Sequence, residues 1–313
     1  MVNITVSSSS KSSLAKGLPI TLSLEGKTID SATVADVKAA LAAKFPRLYV
    51  ERQKITLKDS KKALSDESTL LDAGVTDGGE VSVKDLGPQV SWQTVFLVEY
   101  CGPLVIHPLI YHFSNVFYRG PVQHSQLQQY VYAMVLFHFL KRELETLFVH
   151  RFSHATMPLR NIFKNSFHYH ILSGLMLAYP IYSPTYSANS PYIKGTVREN
   201  PQFLLACTAV FLFAEYSNFS AHMTLRNLRP AGTRTRAIPY GYGFSLVSCP
   251  NYFFETLAWT AVAIMSSSWA AWLFVAVSTG QMLSWALKKH KGYKKEFGTA
   301  YPKGRKAMIP FIF

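Results

Sequence analysis

The chain has 313 residues, 49% of them hydrophobic and 16% charged, with a formal net charge of +14. Residues 1–85 hold 12 Lys/Arg against 11 Asp/Glu, whereas residues 86–313 hold 20 against 7, so the cationic excess sits on apolar sequence. Cations interleaved with long apolar runs point to a membrane protein facing anionic headgroups or ligands and argue against nucleic acid, and three scattered cysteines give neither a disulfide framework nor a zinc pattern.

The first twenty residues lack an apolar core segment, so no cleavable signal peptide is expected. Ile4–Val6 and Ile20–Leu24 alternate like half-buried strands. Thr33-Val-Ala-Asp36 is a helix start, followed by Val34, Val37, Leu41 and Phe45 at helical spacing. Ile55–Leu57 and Val81–Val83 read as strands, the second preceded by the turn signal Asp77-Gly78-Gly79. This strand, strand, helix, strand, strand order resembles a ubiquitin-like β-grasp. We assign residues 1–86 to such a domain, a docking or folding module, and 90–313 to a membrane domain.

Apolar stretches then recur at Val95–Phe113, Gln129–Phe148, Ser166–Ser183 and Phe203–Phe213. Thr256–Leu287 has no Asp, Glu, Lys or Arg, and its 32 residues exceed the roughly 20 that cross a hydrocarbon core. It reads as one tilted helix or two broken near Ser266–Ser268. With a short candidate at Tyr242–Ser248, the expectation is a mainly α polytopic bundle of about six or seven spans, helical because lipid leaves backbone polar groups no other partner.

Four polar groups interrupt this apolar sequence, and ionisable residues within spans usually turn toward a cavity or a partner. Lys141-Arg-Glu-Leu-Glu145 holds two cations and two anions, with Lys141 and Glu145 spaced to pair along a helix; it is either a neutralised helix end or a polar pocket. Asn218, His222, Arg226 and Arg229 follow at spacings of four, four and three and share one helical face. Such a face could hold phosphates through guanidinium forks or flank a span. Asn251 and Glu255 share a face, with Tyr252 projecting beside them. The tail from Lys288 to Lys306 interleaves cations with aromatics and reads as a lipid-facing segment or a lid over an anionic cofactor. No G-x-G-x-x-G, Walker A, H-E-x-x-H or G-x-S-x-G occurs. A dinucleotide would be held by side chains instead of a Rossmann turn, and a metalloprotease or lipase is disfavoured.

Taken together, these groups resemble the steroid 5-alpha-reductase family. The tail from Tyr293 through Tyr301-Pro302 to Arg305-Lys-Ala-Met-Ile-Pro-Phe-Ile-Phe313 is similar to that family's C-terminal signature. Lys141–His154, Met157–Phe163, Leu225–Gly232 and Ser248–Tyr252 are most similar to its members that reduce very-long-chain trans-2-enoyl-CoA, which also carry a ubiquitin-like domain. The resemblance implies NADPH as hydride donor and cofactor contacts at Asn218, His222, Arg226, Arg229, Asn251, Glu255, His290 and Tyr293, although many members have Asp at the place of His222. It implies Lys141 and Tyr252 as the catalytic pair; no metal is expected, since the sequence has neither a zinc pattern nor H-E-x-x-H. It further implies the last step of fatty acid elongation, in the endoplasmic reticulum membrane with the active-site mouth and C-terminus cytosolic, beside other enzymes of that cycle. Phe139 stands where steroid-reducing members have a ketone-binding Tyr, which argues against a steroid; a polyprenol reductase and a non-catalytic scaffold are the alternatives.

Hydride addition at Cβ of an unsaturated thioester moves charge onto the thioester oxygen, and the enolate is then protonated at Cα. A Tyr hydroxyl can donate that proton, and a Lys ammonium can stabilise the phenolate or the oxyanion. Tyr252 and Lys141 are expected in those roles, or in the same two roles exchanged.

Overall fold

The computed structural model describes residues 1–9, 14, 16–152, 156–230 and 236–313. Ser153, His154, Ala231 and Gly232 of the segments quoted above lie outside the described residues. The chain forms two compact units, Met1–Ser91 with His154–Asn161, and Trp92–Ser153 with Ile162–Phe313.

The first unit follows the predicted order. Strands β1 (Val2–Ser8) and β2 (Ile20–Leu24) pair antiparallel, helix α1 (Val34–Lys44) comes next, and β3 (Gln53–Leu57) and β4 (Glu80–Asp85) complete a sheet of order β2-β1-β4-β3. β1 and β4 run parallel at its centre. Because side chains alternate across a strand, Val2, Ile4 and Val6 share one face and bury with Val34, Val37 and Leu41 of α1. The helix begins on a capping box: Thr33 Oγ1 accepts from the Asp36 N–H, and Asp36 Oδ2 accepts from the Thr33 N–H at 2.8 Å. A short ribbon of β5 (Gln89–Ser91) and β6 (Thr156–Pro158) belongs to the same unit.

The second unit is helical. α2 (Trp92–His112) and the short α3 (Ser114–Tyr118) precede α4 (Gln126–Phe148). α5 (Asn161–Ser166) continues through a π-helical stretch, Phe167–Leu175, into α6 (Met176–Ile181). α7 (Pro201–Asn227), α8 (Pro250–Ser266) and α9 (Trp269–Phe297) follow. Phe139, Tyr182, Phe211, Trp259 and Phe274 lie in its apolar core. Leu212, Phe213 and Tyr216 of α7 and Trp272 and Trp285 of α9 are exposed, an outward apolar face of the kind that meets lipid.

Among the described residues, three helices are long and apolar enough to cross a membrane: Trp92–His112, Pro201–Asn227 and Trp269–Ala300. That is fewer than the six or seven expected, and each shortfall has a local cause. α4 carries Lys141, Arg142, Glu143 and Glu145. The uncharged run 256–287 is broken, because Ser267 takes a left-handed conformation (φ 50°) that ends α8 after 17 residues. Residues 161–181 are wound in three short pieces, and Tyr242–Ser248 forms turns with no helix.

α2 and the π-helical stretch meet closely at one glycine. Gly102 has no Cβ, and His170 fills that space and donates from Nε2 to the Val98 carbonyl at 2.8 Å; a Cβ on Gly102 would lie 1.9 Å from the His170 ring.

Candidate active site

α4, α7 and α8 face one another through polar side chains in an otherwise apolar bundle. On α4, His138, Lys141, Arg142 and Glu145 recur at three and four residues and so share a face. On α7 the facing residues are Glu215, Asn218 and His222, and on α8 they are Asn251 and Glu255.

Lys141 is the junction. Its Nζ lies 2.7 Å from Glu215 Oε2 and 3.5 Å from Glu145 Oε1, and donates to Asn218 Oδ1 at 2.6 Å. Glu215 is 2% exposed and also meets His138 Nδ1 at 2.6 Å, and His138 Nε2 reaches Glu255 Oε1 at 3.3 Å. Asn218 Nδ2 donates to Glu255 Oε2 at 3.0 Å and to the Asn251 carbonyl at 2.9 Å. The contacts therefore close a ring through three helices. Removing ions from water costs several kcal/mol each, so such a ring persists only because every charge has a partner.

A second cluster adjoins it. Arg142 Nη1 lies 2.5 Å from Glu145 Oε2, and Nη2 donates to the Tyr100 hydroxyl at 3.0 Å. His222 Nδ1 is 3.1 Å from the same Glu145 oxygen, and Asn251 Nδ2 is 3.5 Å from His222 Nε2. Among the described residues, Glu145, His150 and His222 offer three metal-ligand atoms within 4.8 Å of one another. The Arg142 guanidinium contacts both that Glu145 oxygen and, at 3.2 Å, His222 Nδ1, so a protein cation already stands where an ion would bind. Burial, with Arg142 beside it, pushes the His150 imidazole below its ordinary range.

The remaining expected site residues lie elsewhere. Tyr252 is not in contact with Lys141. One helical position advances about 100° around the axis, so Asn251 faces α7 while Tyr252 turns to α9. There Lys289 Nζ stands 4.9 Å from the Tyr252 ring centroid and Trp285 packs at 6.3 Å. His290 Nδ1 lies 2.6 Å from Ser248 Oγ, which also meets the Tyr301 hydroxyl at 2.6 Å. Tyr293 stacks on Tyr301, centroids 5.6 Å apart. At the end of α7, Arg229 donates to the Arg151 carbonyl at 3.1 Å and accepts from Arg151 through its own carbonyl. Among the described residues no carboxylate pairs with Arg151, Arg226 or Arg229. Phe139 is fully buried against Tyr100, Tyr169 and Trp259.

Sequence reasoning missed His138, Glu215 and Lys289. The first two carried a signal: each lies three residues before a residue already singled out, Lys141 and Asn218, on the same helical face.

Two family models match the chain, one described as 3-oxo-5-alpha-steroid 4-dehydrogenase over residues 155–313 and one as the TECR ubiquitin-like domain over residues 21–82. A Schizosaccharomyces pombe protein carrying the provisional name enoyl reductase is 51% identical over 266 residues, 85% of this chain and 87% of its own length. A very-long-chain enoyl-CoA reductase of Dictyostelium discoideum is 39% identical over 292 residues, 91% and 93%. A human trans-2,3-enoyl-CoA reductase-like protein is 30% identical over 298 residues, 91% and 78%.

Proposed function

The chain belongs to the very-long-chain enoyl-CoA reductases of the steroid 5-alpha-reductase family, and from that premise we propose that it reduces the 2,3 double bond of very-long-chain trans-2-enoyl-CoA with NADPH, giving the saturated acyl-CoA. The observation that carries the reading is the ring of paired charges through Lys141, Glu215, His138, Glu255 and Asn218, closed inside apolar helices. Desolvated ions are costly inside an apolar bundle, and ionisable groups placed there turn toward a cavity or a partner and mark a functional site.

The donor set suits a phosphorylated dinucleotide. Arg226 and Arg229, with Arg151 against Arg229, are cations without a carboxylate partner among the described residues; His222 and Asn218 lie about one and two turns before Arg226 on α7, and Asn251 and Glu255 face α7 from α8. His290 and Tyr293 complete the contacts from α9. NADPH, when bound, supplies hydride to Cβ of the substrate. Tyr252 then gives the proton at Cα. The ammonium nearest its ring is Lys289, which stabilises the phenolate left behind and so takes the electrostatic role first given to Lys141. Lys141 orients Asn218 and Glu215 and keeps the α4–α7–α8 face in register.

The three long apolar helices α2, α7 and α9, together with the other helices of their unit, form the membrane-embedded reductase domain, residues 90–313, and residues 1–86 form the ubiquitin-like domain. The acyl chain enters between helices, where each buried CH₂ contributes about 0.8 kcal/mol. Both polyanions, NADPH and CoA, remain on the cytosolic face of the endoplasmic reticulum, where other enzymes of the elongation cycle hand over the substrate. The test is NADPH oxidation by the purified protein with a long-chain trans-2-enoyl-CoA, beside NADH and a steroid enone. Absence of enoyl-CoA-dependent oxidation, or equal turnover of the steroid, overturns the reading.

A further inference from the structure

The reaction brings together two polyanions, and the membrane unit carries two separate clusters of cations that have no carboxylate partner among the described residues. The first, Arg151, Arg226 and Arg229 at the end of α7, serves the dinucleotide on the reading above. The second surrounds a cleft of about 390 Å³ between the last turns of α9 and the C-terminal segment, lined by His290, Lys294, Lys303, Arg305 and Lys306 together with the apolar Leu287, Ala307, Ile312 and Phe313. Its volume falls within the roughly 300–1,000 Å³ of small-molecule sites.

Arg305 gives the cleft its chemistry. It is 3% exposed, yet among the described residues no carboxylate lies within ion-pair distance, and its Nε has no hydrogen-bond partner. Nη1 donates to the Pro239 carbonyl at 3.0 Å, and the guanidinium lies 5.4 Å from the Tyr240 ring and 5.1 Å from that of Tyr301. The two rings offer only partial compensation for a buried charge. Lys294, Lys303 and Lys306 are exposed around it, and the carboxylate of Glu296 on the same helix is taken by Arg236 at 2.9 Å. The cleft is held in shape by backbone: Lys306 pairs with Val247, and Ser248 and Cys249 donate to the carbonyls of Lys306 and Ala307 at 2.8 and 3.1 Å.

We propose that this cleft is the anchor for the phosphate groups of the CoA nucleotide, an assignment that rests on the enoyl-CoA reading. The exposed lysines, as mobile point charges, meet the phosphates, and the buried Arg305 guanidinium, whose Nε is closed off from solvent, adds positive potential behind them. The nucleotide is thereby held in water while the thioester reaches Tyr252, whose helix begins immediately after the paired Ser248 and Cys249.

NADPH carries a phosphate monoester of the same kind, and His290 lines this cleft too, so the experiment separates the sources. In the full-length enzyme, Lys303→Ala/Lys306→Ala, both exposed positions, should raise KM for enoyl-CoA at least tenfold with KM for NADPH changed less than twofold. That tenfold difference should collapse with an enoyl-pantetheine, which has the same reacting atoms and no nucleotide. Adenosine 3′,5′-bisphosphate should compete with enoyl-CoA and lose at least tenfold in potency in the double variant. Loss of potency for adenosine 2′,5′-bisphosphate instead, or an unchanged KM for enoyl-CoA, overturns the proposal. A wild-type enzyme inactive with enoyl-CoA would sink the functional reading alone; direct calorimetric titration with the 3′,5′ compound would still decide the cleft, with absence of binding counting against it.

Discussion

Lys289 Nζ stands 4.9 Å from the centre of the Tyr252 ring, whereas the ammonium of Lys141 is committed to Glu215 at 2.7 Å and Asn218 at 2.6 Å. The two lysines therefore have different work, and kinetics can tell them apart. Tyr252→Phe removes the proton donor and should lower kcat by about 10²–10⁴-fold. Lys289→Met should lower kcat with the enoyl-CoA KM little changed, since it removes charge stabilisation and no substrate contact. Near-normal turnover in both variants would end the assignment.

Lys141→Met should act through folding before it acts on chemistry. It leaves Glu215 with His138 as its sole cationic partner, and Glu215→Leu leaves Lys141 and His138 facing each other across an apolar gap. Breaking a buried pair from one side costs about 3–5 kcal/mol. Thermal denaturation in detergent should show both variants markedly less stable than Glu215→Gln, which keeps shape and hydrogen bonding. Equal melting of all three would show that the ring is not a brace.

Gly102→Ala tests the contact between α2 and the π-helical stretch. The new methyl would overlap the His170 ring, and either His170 leaves the Val98 carbonyl or the helices part. Overpacking of this kind costs about 1–3 kcal/mol, so the half-life of activity at elevated temperature should shorten several-fold. The double variant Gly102→Ala/His170→Ala should recover part of the loss; no recovery would place the strain elsewhere.

Acid should loosen the start of α1. Partial burial raises the Asp36 carboxyl, but Lys27 at 2.6 Å and the Thr33 hydroxyl and N–H outweigh it, and the net shift is downward. A carboxyl held below its unfolded value of about 3.9 contributes stability that is present above that value and lost as pH falls through the folded one. Amide hydrogen exchange in the first turn of α1, corrected for intrinsic rates, should accelerate in wild type from about pH 4 downward and stay flat in Asp36→Asn. Parallel profiles would refute the link. Thr33→Ala should cost about 1 kcal/mol at neutral pH through loss of the cap.

The β-grasp sheet was readable from the chain because its signals are local: alternation in β1 and β2, a capping box at Thr33, a Gly-Gly turn before β4. The shared face of Asn218 and His222 was equally visible, for the same reason, whereas the break at Ser266–Ser268 was one of two readings the run allowed. The number of apolar helices long enough to cross a membrane was not, because hydropathy records composition and is blind to a left-handed Ser267 or a π-helical interruption. The partner of Tyr252 was also hidden. Asn251 and Tyr252 are adjacent in sequence, yet they face different helices, and which lysine each meets depends on how α8 is rotated against α7 and α9. Glu215 and His138 escaped notice as isolated polar letters in apolar runs, although stepping back three residues along each helical face reaches them.

The backbone pairing of Lys306 with Val247 ties the far end of the polypeptide to the residues that launch α8. Asn251 and Tyr252 sit on the first turn of that helix, so any load borne by the final segment is transmitted mechanically to both. Loosening the tail would misalign the reacting side chains without altering a single one of them, and the kinetic signature would be a fall in turnover in enzymes whose catalytic residues are intact.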